Sequence, residues 1–136
     1  MVLPMSDHEC GPARELGAHS RGWFVGPYQE STHPLFGSHV VEVKWGEHEA
    51  GSSRPQWDEG APTWSLAILV SGDITMQFRD GDCRLAAPGD CVVWRPETPH
   101  SWFVDAKTVV ITIRWRELPA VKRESNEPSS GRAAQE

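Results

Sequence analysis

The feature that most limits how this chain can fold is a series of short apolar stretches, each closed by Gly, Pro or Asp. "SHVVEVKW" alternates Val41, Val43 and Trp45 with Glu42 and Lys44, the period-2 pattern of a half-buried strand. "WSLAILV" (64–70) is a continuous apolar run between Pro62 and Gly72. "ITMQFRD" alternates Ile74, Met76 and Phe78 with Thr75, Gln77 and Arg79. "SGD" (71–73) joins these two runs as a tight connection, and Asp80-Gly81 signals another hairpin. "CVVW" (91–94) is a short strand closed by Pro96, and "TVVITIRW" (108–115) is a long strand rich in β-branched residues. No segment of helical length carries a 3.6-residue apolar period. Such a chain is all-β, and its strands close into an antiparallel sandwich or barrel; a jelly roll enclosing a cavity is one solution.

The 136 residues suffice for one such domain. Residues 1–20 are polar and aperiodic, and 117–136 are rich in Ser, Glu, Pro and Arg. Both are expected to be flexible around a domain at 21–116, because they offer too little apolar surface to offset chain entropy. The formal net charge of −6 argues against nucleic acid or an anionic membrane as partner, since both are bound by clustered Lys and Arg. The longest apolar run, Leu66 to Val70, is far short of a membrane helix, and the start lacks a basic-then-apolar leader. Cys10, Cys83 and Cys91 form no CxxC, so a reducing cytoplasm is expected. Cys91, inside a strand, reads as a small buried hydrophobe. Seven tryptophans are many for this length. They serve as core filler or as the walls of a cavity, with Trp57 and Trp102 the candidates for the latter.

"PGDCVVWRPETPH" (88–100) resembles the second conserved motif of the cupins, in which a His follows a Gly by eleven residues, here Gly89 and His100. Gly89-Asp90 supplies the turn, Val92 to Trp94 the strand, and Pro96 and Pro99 the bend. Arg95 and Glu97 stand at the motif's usual proline and glycine positions, and Val104 where an Asn is common. "LAILVSGDITMQF" resembles the end of the first motif, with Gly72 as its glycine. Counting back, the motif's Glu falls on Ser65, and its His-x-His pair falls within "WDEGA", or on Trp57 and Glu59. The cupin set of three His and one Glu is therefore broken. Together with "GWFVG", "RPQW", "PHSW" and "VVITIRW", these segments resemble small single-domain bacterial cupins without an assigned reaction, over about residues 22–116. The resemblance implies an antiparallel jelly-roll β-barrel, also called a double-stranded β-helix, that pairs into homodimers through edge strands.

It also places His100 where cupins hold a metal ligand. Three roles stay open for this imidazole: a hydrogen bond across the barrel, ligand contact or acid–base chemistry, and metal binding. A metal needs three or four donors in one place. The further candidates are Asp58, Glu59 and His48, which suit Fe, Mn, Zn or Ni. Against them, Asp58-Glu59-Gly60 also reads as a solvated turn. His48 shares its strand side with Glu42 and Lys44, a face that is either solvent or a polar cavity. Ser65 can hydrogen-bond a ligand or water. Arg95 and Arg114 either face a bound anion or stand in solvent. There is no GxSxG elbow for a nucleophilic serine.

The leading expectation is a cupin that binds a small organic molecule in a Trp-lined cavity through Trp57, Ser65, Trp102 and His100, with His100 as the acid–base group of an isomerase, cyclase or lyase. The alternatives are a metal-dependent dioxygenase, lyase or decarboxylase using His100 with Asp58 and Glu59, with or without His48, and a non-enzymatic dimeric sensor or accessory protein.

Overall fold

The computed structural model describes residues 7–117. Its strands are β1 (Trp23–Val25), β2 (Val41–His48), β3 (Trp64–Ser71), β4 (Ile74–Phe78), β5 (Gly81–Leu85), β6 (Cys91–Trp94), β7 (His100–Val104) and β8 (Thr108–Trp115). All pairings between them are antiparallel. One sheet has five strands in the order β1-β2-β8-β3-β6, and the other has three in the order β5-β4-β7. The all-β, antiparallel expectation holds. Among the described residues no helix is long and apolar enough to cross a membrane.

The two sheets share one core. Leu69 comes from the larger sheet, and Ile74, Met76, Leu85 and Val104 come from the smaller one or its edge. Each such side chain contributes roughly 1.5–3 kcal/mol when fully buried. The β3–β4 connection depends on Gly72, whose φ of +99° suits glycine. A Cβ there would lie 2.4 Å from Thr108 Oγ1. That hydroxyl is itself needed, because it accepts the Asp73 N–H at 3.0 Å.

Strand parity sends different chemistry to the two faces of the larger sheet. Ser65, Ala67 and Leu69 of β3 are buried between the sheets, while Leu66 and Ile68 point the other way. Register aligns Val43, Ile113, Leu66 and Val93 in one outer row and Trp45, Ile111, Ile68 and Cys91 in the next. The outer face is therefore apolar across four strands. Val93 is 53% exposed on it. Cys91 is exposed there too, which corrects its reading as a buried hydrophobe. Its neighbours Val92 and Trp94 are the residues of β6 that pack inward.

Two segments outside the strands complete the frame. Residues 49–61 run along the free edge of β7, with backbone bonds from Arg54 N–H to the Trp102 carbonyl (3.0 Å) and from Asp58 N–H to the His100 carbonyl (2.8 Å). Before β1, a short helix (Ala13–Leu16) and a helical turn (Ala18–Ser20) pack on the domain. Leu16 is buried, and the buried Gln29 amide donates to the carbonyls of Leu16 (2.8 Å) and Trp23 (3.1 Å). The domain boundary expected near residue 20 thus falls inside a packed segment. Residues 1–6 and the tail from 118 lie outside the described residues.

Candidate functional site

A cavity of about 740 Å³ lies between the sheets beside the core. β2 supplies Lys44, Gly46 and His48 to it, β3 Ser65 and Ala67, and β8 Val110, Thr112 and Arg114. Trp94, His100 and Trp102 close it from β6 and β7, while Trp23, Arg21 and the 54–58 segment bound the remainder. On β2 the apolar residues Val41, Val43 and Trp45 face outward and the polar ones face in. The cavity thus resolves the open question about His48, which points into a polar interior.

His100 is held by its local turn. Pro96 presets one turn residue, and Glu97 adopts φ +61°, a left-handed conformation glycine would take more readily. Thr98 Oγ1 donates to the Arg95 carbonyl at 2.8 Å. The Thr98 carbonyl accepts a hydrogen bond from His100 Nδ1 at 2.9 Å. A carbonyl can only accept, so Nδ1 carries a proton, and in the neutral ring Nε2 is the acceptor. Nε2 has no hydrogen-bond partner among the described residues. The ring sits 4.9 Å from that of Trp94 and 6.2 Å from that of Phe78, centroid to centroid.

Asp58 lies opposite His100 in a reciprocal backbone bridge. Its Oδ1 accepts the Gly60 N–H at 2.7 Å, and its Oδ2 lies 3.4 Å from Arg54. Gly60 lets this loop close on the His100 turn: at φ +102°, an added Cβ would meet the Glu97 carbonyl carbon at 2.6 Å. Because Asp58 turns inward, its neighbours turn outward. Trp57 is 42% exposed and Glu59 is exposed, and neither lines the cavity. Ser65 and Trp102 do line it.

His48 packs against Trp102, with ring centroids 4.3 Å apart and planes tilted by 49°. It lies over Gly46, where a Cβ would come within 3.3 Å of His48 Nε2. Burial, and secondarily the charge of Lys44, hold His48 below the ordinary value of 6.5, favouring the neutral ring. Lys44 is itself held below the ordinary 10.5, first by burial and then by Arg21, Arg114 and Arg54. Arg114 donates to Glu42 Oε1 from Nη2 (2.7 Å) and Nε (3.0 Å), and its guanidinium carbon lies 4.0 Å from the Trp23 ring centroid. Arg95, the other arginine considered for an anion, instead stands over Trp64, 5.7 Å from its ring centroid. Arg21, Lys44, Arg54, Trp23 and Trp94 were not among the sequence candidates. For Lys44 a signal existed, since it has the same strand parity as His48.

No protein-family model matches the chain, and no curated protein sequence does. Solved structures do. A cupin superfamily protein from Desulfitobacterium hafniense superposes with a TM-score of 0.53 at 16% identity, over 59% of this chain and 71% of that one. The chain has the cupin fold. A conserved Streptococcus pyogenes protein of unknown function gives 0.53 at 12% identity, over 60% of this chain and 69% of that one. A DMSP lyase from Ruegeria pomeroyi gives 0.53 at 18% identity, over 62% of this chain and 43% of that one. At these identities the likeness carries the fold and not the activity.

The metal set associated with cupins does not fit this cavity. Among the described residues no three His, Cys, Asp or Glu side chains are grouped so as to hold a metal ion. Of the donors expected beside His100, Glu59 points away, and the Asp58 carboxylate is engaged by Gly60 and Arg54. Ser65 occupies the Glu position, and a hydroxyl is a poor ligand. Four cationic side chains on the walls further disfavour a dication. What remains is three imidazoles on the lining, His19, His48 and His100, of which His48 and His100 pack against tryptophan rings.

Proposed function

We propose that this cupin fold acts as a jelly-roll container for a small organic molecule, with His100 as its polar anchor and proton-transfer group. The observation that carries the reading is the state of His100. Its Nδ1 is committed to the Thr98 carbonyl, and its Nε2 is left as an unpartnered acceptor in an aromatic cavity. A few convergent polar groups among apolar walls are the usual form of a ligand site. His48, whose pKa burial lowers, is a second imidazole in the same cavity, and its neutral ring offers one N–H donor and one acceptor nitrogen. A base at one position and an acid at another are what an isomerisation, cyclisation or elimination requires, and each contributes roughly 10²–10⁴-fold. Trp102 and Ser65 contact the ligand in this reading. The three free cysteines suit a reducing compartment such as the cytoplasm.

The partner expected for the outer sheet face is a second copy of the chain. Of its rows of Val, Ile, Leu and Trp, Val93 is exposed and the others are part-buried, and a twofold pairing of sheets would bury them further.

Elemental analysis of protein purified without added metal, repeated on His100→Ala, tests the metal-independent reading. Substoichiometric metal in both is expected. One equivalent of Fe, Mn, Zn or Ni in the wild type that is lost on substitution would overturn it and support the metal-enzyme alternative.

A further inference from the structure

The cavity is strongly cationic although the chain as a whole carries a formal charge of −6. Arg21, Lys44, Arg54 and Arg114 line it, and Asp58 is the one carboxylate residue among the lining residues. Asp58 reaches Arg54 at 3.4 Å, and Arg114 is held by Glu42. Lys44 and Arg21 have no carboxylate partner among the described residues. Both line the cavity, the backbone of Gly22 next to Arg21 lies against Lys44, and the Arg21 charge helps hold the Lys44 pKa down. The Lys44 ammonium and the Arg114 guanidinium share the Trp23 ring, at 5.7 and 4.0 Å from its centroid. Arg21 is exposed, but Lys44 is half-buried beside like charges with no counter-charge of its own, which is unfavourable, and a bound anion relieves it.

We infer that the natural ligand is a small organic oxyanion, a carboxylate or phosphate ester, whose charged group is seated by Arg21, Lys44 and Arg114 at the Trp23 end of the cavity. This deepens the small-molecule reading above and rests on it. The remainder of the ligand then lies against Trp94 and Trp102 and within reach of His48 and His100. A guanidinium presents a planar fork and an ammonium a rotatable point charge, so together they hold an oxyanion in one orientation. Arg54, paired with Asp58, adds charge from the 49–61 segment.

Inorganic phosphate, citrate, malonate and benzoate are titrated into wild type, Lys44→Gln and Arg21→Gln at constant ionic strength. Thermal midpoint and tryptophan fluorescence are the readouts, with glycerol and benzamide as uncharged controls. At least one anion is expected to raise the wild-type midpoint with saturation, as binding to the native state requires. Its affinity should fall about tenfold or more in Lys44→Gln, and also fall in Arg21→Gln. Phosphate or the carboxylates responding alone tells which oxyanion is preferred. No saturable response to any anion, or equal responses in wild type and both variants, overturns the inference. An uncharged compound that binds while every anion fails would overturn the oxyanion alone and leave the small-molecule reading standing. Anion binding that His100→Asn leaves unchanged, with no effect of that variant on any ligand, would instead count against His100 as the anchor.

Discussion

Lys44 is half-buried and unpaired, and its nearest charges repel it, so at neutral pH its side chain works against the fold. Its folded pKa is depressed. The penalty is therefore full below the folded pKa, fades as the pH rises from that value towards 10.5, and is gone above 10.5. Lys44→Met is expected to raise the thermal midpoint at pH 7 by about 3 °C while weakening ligand binding. Differential scanning calorimetry reads the first effect; a lower midpoint would mean that Lys44 holds the wall together. His48 follows the same sign. Its depressed folded pKa makes its contribution full above 6.5 and progressively lost as the pH falls below that value. Urea unfolding at pH 7.5 and pH 5 should show a larger loss of stability for wild type than for His48→Gln. An equal loss in both would place the acid sensitivity elsewhere.

At the level of elements, the turn and loop that aim His100 make the clearest claim. Gly60→Ala puts a Cβ against the backbone of Glu97 at a φ of +102°. It is expected to cost about 2 kcal/mol or more and to loosen His100. Glu97 already carries left-handed strain, so Glu97→Gly should be neutral or stabilising by up to about 1 kcal/mol in the same unfolding assay. These positions also mark what was legible in the sequence. The Gly89–His100 spacing located the turn, its strand and the histidine, because turn chemistry is local. The alternation in "VEVKWGEH" gave a strand but not which side faces inward. In this fold the apolar side of β2 faces out and the polar side lines a cavity. That inversion is decided by the strands flanking it, β1 and β8, and so does not appear in one segment's pattern. For the same reason Trp57 looked like a wall residue and is not: the bridge between Asp58 and His100 fixes the loop's parity, and it is a contact between residues 42 positions apart.

For the whole molecule, the sheet's two faces divide the work. The inner face makes a container whose polar groups are drawn from many strands, so most of its cationic members were invisible until the strands were assembled. The outer face, apolar across β2, β8, β3 and β6, is the surface proposed above for a second copy. Light scattering should give a dimer for wild type and a folded monomer for Val93→Glu, whose side chain is exposed in the single chain. A monomeric wild type at micromolar concentration would refute the pairing.

The central claim is that His100 anchors a small molecule without a metal. It is tested most directly by a ligand-detected NMR screen of small organic acids and polar neutral molecules against chelator-treated wild type and His100→Asn. The asparagine amide can still donate to the Thr98 carbonyl, yet it removes Nε2. Hits are expected that bind the metal-stripped wild type and lose about tenfold or more in affinity with His100→Asn. Hits that vanish on chelation, or that bind both proteins equally, would contradict it.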